Sequence, residues 1–176
     1  MKKIFCVLLL LLLACSLVSC SDDEIPEGMQ NVSTDDALFD LFVPTTWLPQ
    51  NRSGVSGACV SSTDRSKVSV KETLPSEDLT PKAYWETVCL PKYETGGVLQ
   101  DFTLIEDKCK ETSLGGKDAM QYVFCFTLDG ETYEVMQIIA EKDTMIYTLT
   151  YTATADRFAT HVDTVENDIR GNFRFR

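Results

Sequence analysis

Histidine is nearly missing from this chain: among 176 residues only His161 carries an imidazole. One imidazole cannot supply a clustered zinc site, and any Ser-His-Asp or Cys-His chemistry would have to use it as the base. Catalytic fingerprints are missing too. There is no G-x-S-x-G elbow, no P-loop and no dinucleotide-binding glycine pattern. No run of spaced acidic ligands resembles an EF-hand loop, so no metal and no cofactor is expected. Basic residues are scarce, with 16 Lys+Arg against 27 Asp+Glu and a net charge of −11. That excludes the basic footprint of a nucleic-acid binder and argues against lying flat on anionic lipid. An acidic surface kept soluble and monomeric by repulsion is the expectation. Long apolar runs are also lacking. The longest, Ile4 to Val18, has 15 residues, where a spanning helix needs about 20.

What that short run does have is context. Lys2 and Lys3 precede it, and Ser21-Asp22-Asp23-Glu24 follows it without a stop-transfer charge. This is the layout of an export signal. Leu17-Val18-Ser19-Cys20 resembles the bacterial lipobox, in which the Cys thiol receives a diacylglycerol and the signal is cut before it. The resemblance implies a signal over residues 1–19, acylation of Cys20 and attachment to a bacterial membrane with the domain outside the cytoplasm. Several acyl chains give stable anchoring, since each buried CH₂ contributes about 0.8 kcal/mol. Losing Lys2 and Lys3 leaves 14 basic residues against 27 acidic ones, a formal charge of −13. Residues 20–36 are acidic and poor in apolar groups, and read as a flexible tether. Residues 37–176, about 140, suit one domain.

Beyond Cys20 the chain carries Cys59, Cys89, Cys109 and Cys125. In an exported domain these could form two disulfides in three connectivities, or stay as buried thiols. If Gly115-Gly116 form a two-residue turn, Cys109 faces Tyr122 and Cys125 faces Glu106, so the two thiols point to opposite faces. A three-residue loop would put them on one face. The pairing stays open.

Along the domain, Leu38 to Val43 is a strand candidate ended by Pro44, and Asn51 to Gly57 reads as a loop. Val68-Ser69-Val70 alternates as a strand. Thr80 caps a helix with Pro81 at its first position. Tyr84 and Val88 fall on one face of that helix, flanked by Trp85, and Pro91 limits or kinks it. Gly96-Gly97 finish the segment. Phe102 to Glu111, Ala119 to Leu128, Thr132 to Ala140 and Met145 to Ala153 form a four-stranded meander, with Asp129-Gly130 as its clearest hairpin turn. Phe158, Val162, Val165 and Ile169 make the apolar stripe of a second helix, from about Asp156 to Arg170. Asn172 to Phe175 reads as a closing strand.

The ordered set Phe39 to Trp47, Val68 to Val70, Gly115 to Ala119, Tyr147 to Ala153 and Phe173 to Phe175 resembles the PsbP-like superfamily. That group includes the photosystem II extrinsic P subunit, the Ran-binding import factor Mog and DcrB-type bacterial lipoproteins. The resemblance implies an α+β fold, an α/β/α sandwich around a central antiparallel sheet. The superfamily shares no reaction, so a non-enzymatic module that binds a protein or an envelope component is implied, and no catalytic residue is transferred. The competing expectation is an envelope hydrolase or other enzyme using His161 or a mature cysteine. The two differ in whether His161 shares a concave pocket with a nucleophile. A deep solute pocket is not expected from one sheet, since such sites usually lie between domains.

Overall fold

A computed structural model of the chain describes residues 24–95 and 97–176. The signal at 1–19 and the lipidation residue Cys20 lie outside the described residues. Part of the expected tether lies within them, and there the expectation fails. Met29–Asn31 is a strand (β1) paired antiparallel with Phe42–Pro44 (β3). Gln30 Nε2 donates to the carbonyl oxygens of Pro44 and Trp47, at 3.2 and 2.7 Å. Val32 and Ala37 are buried. Two apolar side chains in an otherwise polar stretch are enough to dock it, because the backbone donors also find partners: Thr34 N–H donates to Ser56 Oγ at 2.9 Å. The ordered domain therefore begins near Pro26 rather than at residue 37.

Leu38 to Val43 is not one strand. Phe39–Asp40 (β2) pairs with the closing strand Arg174–Phe175 (β12), while β3 pairs with β1. The remaining strands are Leu48–Pro49 (β4), Val55–Cys59 (β5), Lys67–Thr73 (β6), Gln100–Leu104 (β7), Lys110–Leu114 (β8), Lys117–Leu128 (β9), Glu131–Lys142 (β10) and Met145–Thr154 (β11). They form an antiparallel sheet in the order β4-β5-β6-β11-β10-β9-β7, with β8 also on β9. The meander is as expected except that its first strand is divided by a 3₁₀ turn at Glu106–Lys108. Part of the expected loop at Asn51 to Gly57 is strand β5. Gly57 fits there because a Cβ would sit 2.7 Å from the carbonyl oxygen of Val68 on β6. The two strands approach too closely for a side chain at that point.

One helix covers each face. Pro81–Tyr84, a π-helical turn at Trp85–Cys89 and Leu90–Glu94 run on as α1. Thr80 Oγ1 accepts from Ala83 N–H, the cap read from the sequence. Pro91 does not end this helix. It has no N–H to give, and the turn before it is wound wide, with Leu90 N–H bonded to Trp85 O. The wide turn also alters which side chains point inward. Tyr84 is buried as expected, together with Trp85 and Cys89, but Val88 is 41% exposed, so its expected place on the inner face is corrected to Cys89. Phe158–Asp163, a π-helical turn at Thr164–Ile169 and Arg170–Asn172 form α2, with Phe158, Val165 and Ile169 buried as the stripe requires.

The alternation along each strand separates two cores. Val123, Met136, Ile138, Leu149, Tyr151, Val68 and Val70 face α2. Tyr122, Phe124, Val135 and Ile139 face α1. Trp85 lies flat on Tyr122, with ring centroids 4.1 Å apart and planes 6° apart. These layers make the α+β sandwich, helix on sheet on helix, that the sequence led us to expect.

Candidate functional site

The α1 core uses the apolar half of its sheet face, on β9 and β10. The other half, on β11 and β6, carries short polar side chains and lysines. On β11 every second residue is Thr (148, 150 and 152), while Tyr147, Leu149 and Tyr151 turn inward to α2. On β6 the same face shows Lys67, Ser69 and Lys71. The register sets them side by side: Lys67 opposite Thr152, Ser69 opposite Thr150, Lys71 opposite Thr148. α1 forms the wall of the resulting groove through Tyr84, Val88, Lys92 and Tyr93. Its volume is about 350 Å³, and no Asp or Glu lines it. At its foot Gln137 is buried, exchanges hydrogen bonds with the Tyr93 hydroxyl (Nε2 to Oη 3.1 Å) and reaches Thr150 Oγ1 at 3.4 Å. Burial pushes the Tyr93 phenol above its ordinary value, against a smaller opposing effect of the Gln137 bond, so it stays protonated.

Most lysines elsewhere in the described residues are ion-paired, and those of this groove are not. Lys82, Lys108, Lys110 and Lys142 are paired with Glu86, Glu134, Glu166 and Asp143. Lys67, Lys71 and Lys92 have no ion-pair partner among the described residues. A larger hollow, about 700 Å³, lies by the C-terminal strand. Three of its four cations are already engaged, Lys117 being the exception. Arg176 pairs with Asp40 at 2.7 Å, Lys142 with Asp143 at 2.6 Å, and Arg174 lies 5.1 Å over the Phe42 ring. Three unpaired lysines in an acidic protein make the sheet groove the stronger candidate. Sequence reasoning missed it, although Lys67-x-Ser69-x-Lys71 and the Thr repeat of β11 carry the signal.

His161 is paired with a carboxylate, and among the described residues no Ser or Cys side chain bonds to it. Its Nε2 lies 3.1 Å from Asp64 Oδ2, and its ring meets Trp47 edge-on with centroids 6.0 Å apart. Asp64 in turn accepts from Ser66 N–H at 2.8 Å and gives its own N–H to Ser61 Oγ at 3.0 Å. The pair ties the loop before β6 to α2. Partial desolvation raises the Asp64 pKa, but the hydrogen bonds from Ser66 and His161 outweigh it and hold the carboxyl below its ordinary 3.8. A carboxyl lowered in the folded state stabilises the protein above the unfolded-state pKa, and that contribution is lost as pH falls through the folded value. Asp64→Asn is expected to cost about 1–3 kcal/mol at pH 7, the worth of hydrogen bonds to a charged group. The gap from wild type should close below pH 3.8, as urea titrations across pH would show.

The four cysteines are free thiols. The turn at Gly115-Gly116 has two residues, with Leu114 opposite Lys117, so the register is the one that separates Cys109 from Cys125. Cys109 packs with the α1 core and Cys125 lies on the other face. Cys89 belongs to the α1 core, and the sheet stands between it and His161. Burial pushes the Cys89 thiol up to about 11 from an ordinary 9.0. The thiolate is the reactive form, so Cys89 in the native protein should alkylate about 100-fold more slowly than a free thiol at neutral pH. Iodoacetamide labelling read by peptide mass spectrometry tests this, and unfolding should remove the protection.

No protein-family model matches the chain, and no curated protein matches it. Solved structures do. Cyanobacterial PsbP from Synechocystis aligns with a TM-score of 0.62 at 13% identity, covering 91% of this chain and 99% of that one. This is a PsbP-like fold. LpqN of Mycobacterium tuberculosis, described as involved in cell envelope biogenesis, aligns with a TM-score of 0.60 at 19% identity, over 83% of this chain and 89% of that one. The Ran-binding protein Mog1p of Saccharomyces cerevisiae aligns with a TM-score of 0.57 at 9% identity, over 84% and 95%. These likenesses show the fold, and a fold by itself does not specify a function.

Proposed function

We propose that this protein is an exported lipoprotein, anchored to a bacterial membrane through acylated Cys20, whose PsbP-like domain works as a monomeric, non-enzymatic binding module outside the cytoplasm. The observation that carries the binding role is the groove between α1 and β6/β11, an open sheet face with lysines that no carboxylate of the domain engages. Lys67, Lys71 and Lys92 are solvent-exposed and converge on one concave surface, so an external anionic group can reach all three. His161 and Cys89 are both committed to packing, which favours binding over hydrolysis. Among the described residues no helix is long and apolar enough to cross a membrane; the proposed attachment rests on the lipobox-like stretch Leu17-Val18-Ser19-Cys20. The likeness to LpqN, an envelope-biogenesis protein, supports an envelope setting.

The test has two arms. Mass spectrometry of the mature N-terminus should find Cys20 carrying acyl chains, and Cys20→Ser should release or misprocess the protein. An unmodified start at another residue would end the anchoring reading. Photo-crosslinking from position 92 on intact cells should capture an envelope component, whereas crosslinks distributed evenly over the domain surface would end the binding reading.

A further inference from the structure

We infer that the groove between α1 and β6/β11 is a binding site for an acidic polysaccharide, sugar rings bearing carboxylate groups, lying along β6. The inference rests on the binding role proposed above and names the ligand class. Three features point to it. First, the charge is arranged in a row. Lys67 and Lys71 are four residues apart on one strand face, about 13 Å from the strand rise, with the neutral Ser69 between them and Lys92 on the opposing wall. A ligand with anionic groups at intervals along a chain matches a row better than a single compact anion does.

Second, the floor is made of hydroxyls. Ser69, Thr148, Thr150 and Thr152 are all partly exposed, and at the foot Gln137 is bonded to the Tyr93 phenol of the wall. Each hydroxyl can both donate and accept, which suits ring hydroxyls. An acidic peptide is the rival. Extended peptides dock on strand edges through backbone hydrogen bonds, but β6 and β11 are hydrogen-bonded on both sides and offer no edge. Third, the cations are all lysines. Arginine forks and helix N-termini favour phosphate geometrically. Lysines are mobile point charges that tolerate carboxylates at varied positions along a polymer. The net negative charge of the domain does not forbid this, because charges beyond a Debye length of about 8 Å are largely screened.

The experiment is calorimetry of the full chain, purified in detergent, with a galacturonate oligomer, the matching neutral galactose oligomer and poly-L-glutamate. Galacturonate should bind, and the other two should bind at least about 10-fold more weakly. Lys67→Gln with Lys71→Gln should weaken galacturonate binding by about 30-fold or more, as expected for two charge-assisted contacts. Ser69→Ala should weaken it by about 2- to 10-fold, one neutral hydrogen bond. Lys82→Gln, on a lysine already paired with Glu86, should change nothing. Equal affinity for poly-L-glutamate, indifference to the Lys67/Lys71 double variant, or no binding of galacturonate would each overturn the inference. Failure here together with acylated Cys20 and a protein captured from position 92 would leave the lipoprotein reading intact. An unacylated N-terminus would sink that reading whatever the calorimetry shows.

Discussion

Trp85→Ala is expected to lower the unfolding free energy by about 3–5 kcal/mol, the range for removing a buried large aromatic. Trp85 is 2% exposed. Its indole stacks on Tyr122 and also meets Phe124 and Tyr93, each with ring centroids 5.9 Å away. Tyr84, Leu90 and Tyr93 of α1 also pack on this core, but Trp85 is its largest fully buried side chain, so truncation removes the largest single contact between α1 and the sheet. The lining cannot close the gap easily, because Tyr122 and Phe124 are fixed on adjacent even positions of β9. Since α1 is the wall of the groove, ligand binding should weaken along with stability. Urea unfolding followed by circular dichroism, with Trp47 as the remaining fluorescent reporter, measures the loss. A change below about 1 kcal/mol, the scale of an ordinary surface substitution, would show that α1 is not held this way.

Leu149→Ala should cost about 2–5 kcal/mol, the transfer term plus the cavity left behind, while Thr150→Ala one residue on should cost less than about 1 kcal/mol. Leu149 is fully buried on β11 between β6 and β10, packed under α2. Thr150 points to the opposite, partly solvated face, where its hydroxyl accepts a 3.4 Å bond from Gln137. The same strand is thus essential on one face and dispensable for stability on the other. That asymmetry is what a binding face looks like energetically: residues chosen for something other than packing. Equal losses from the two substitutions in parallel urea titrations would show that the Thr face is buried in solution and that the groove is covered.

Much of this was legible along the chain because it depends on local periodicity. The stripe Phe158, Val165 and Ile169 predicted α2, and Asp129-Gly130 and Gly115-Gly116 predicted the turns of the meander. The Thr80-Pro81 start of α1 was correct, since a cap needs only its own neighbours. The failures share a cause. Val88 was misplaced because a wide turn shifts the phase of a helix, and regular 3.6-residue counting cannot register it. The segment 29–36 looked like tether because Val32 and Ala37 gain their value only from a core brought to them by distant strands. The structural role of His161 was invisible in the sequence because Asp64 is 97 positions away.

By itself, the sequence determined the acidic balance of the chain and the alternation that divides each strand into two faces. These depend on composition and spacing, which need no partner to be read. Only the tertiary structure decided which faces are covered. The sheet order puts β6 beside β11, and α1 lies over the bulkier side chains of β9 and β10 because burying them gains most from the hydrophobic effect. What remains uncovered is the half of the face with lysines and hydroxyls. No single strand contains that groove; it comes from long-range pairing of Lys67, Ser69 and Lys71 with Thr152, Thr150 and Thr148.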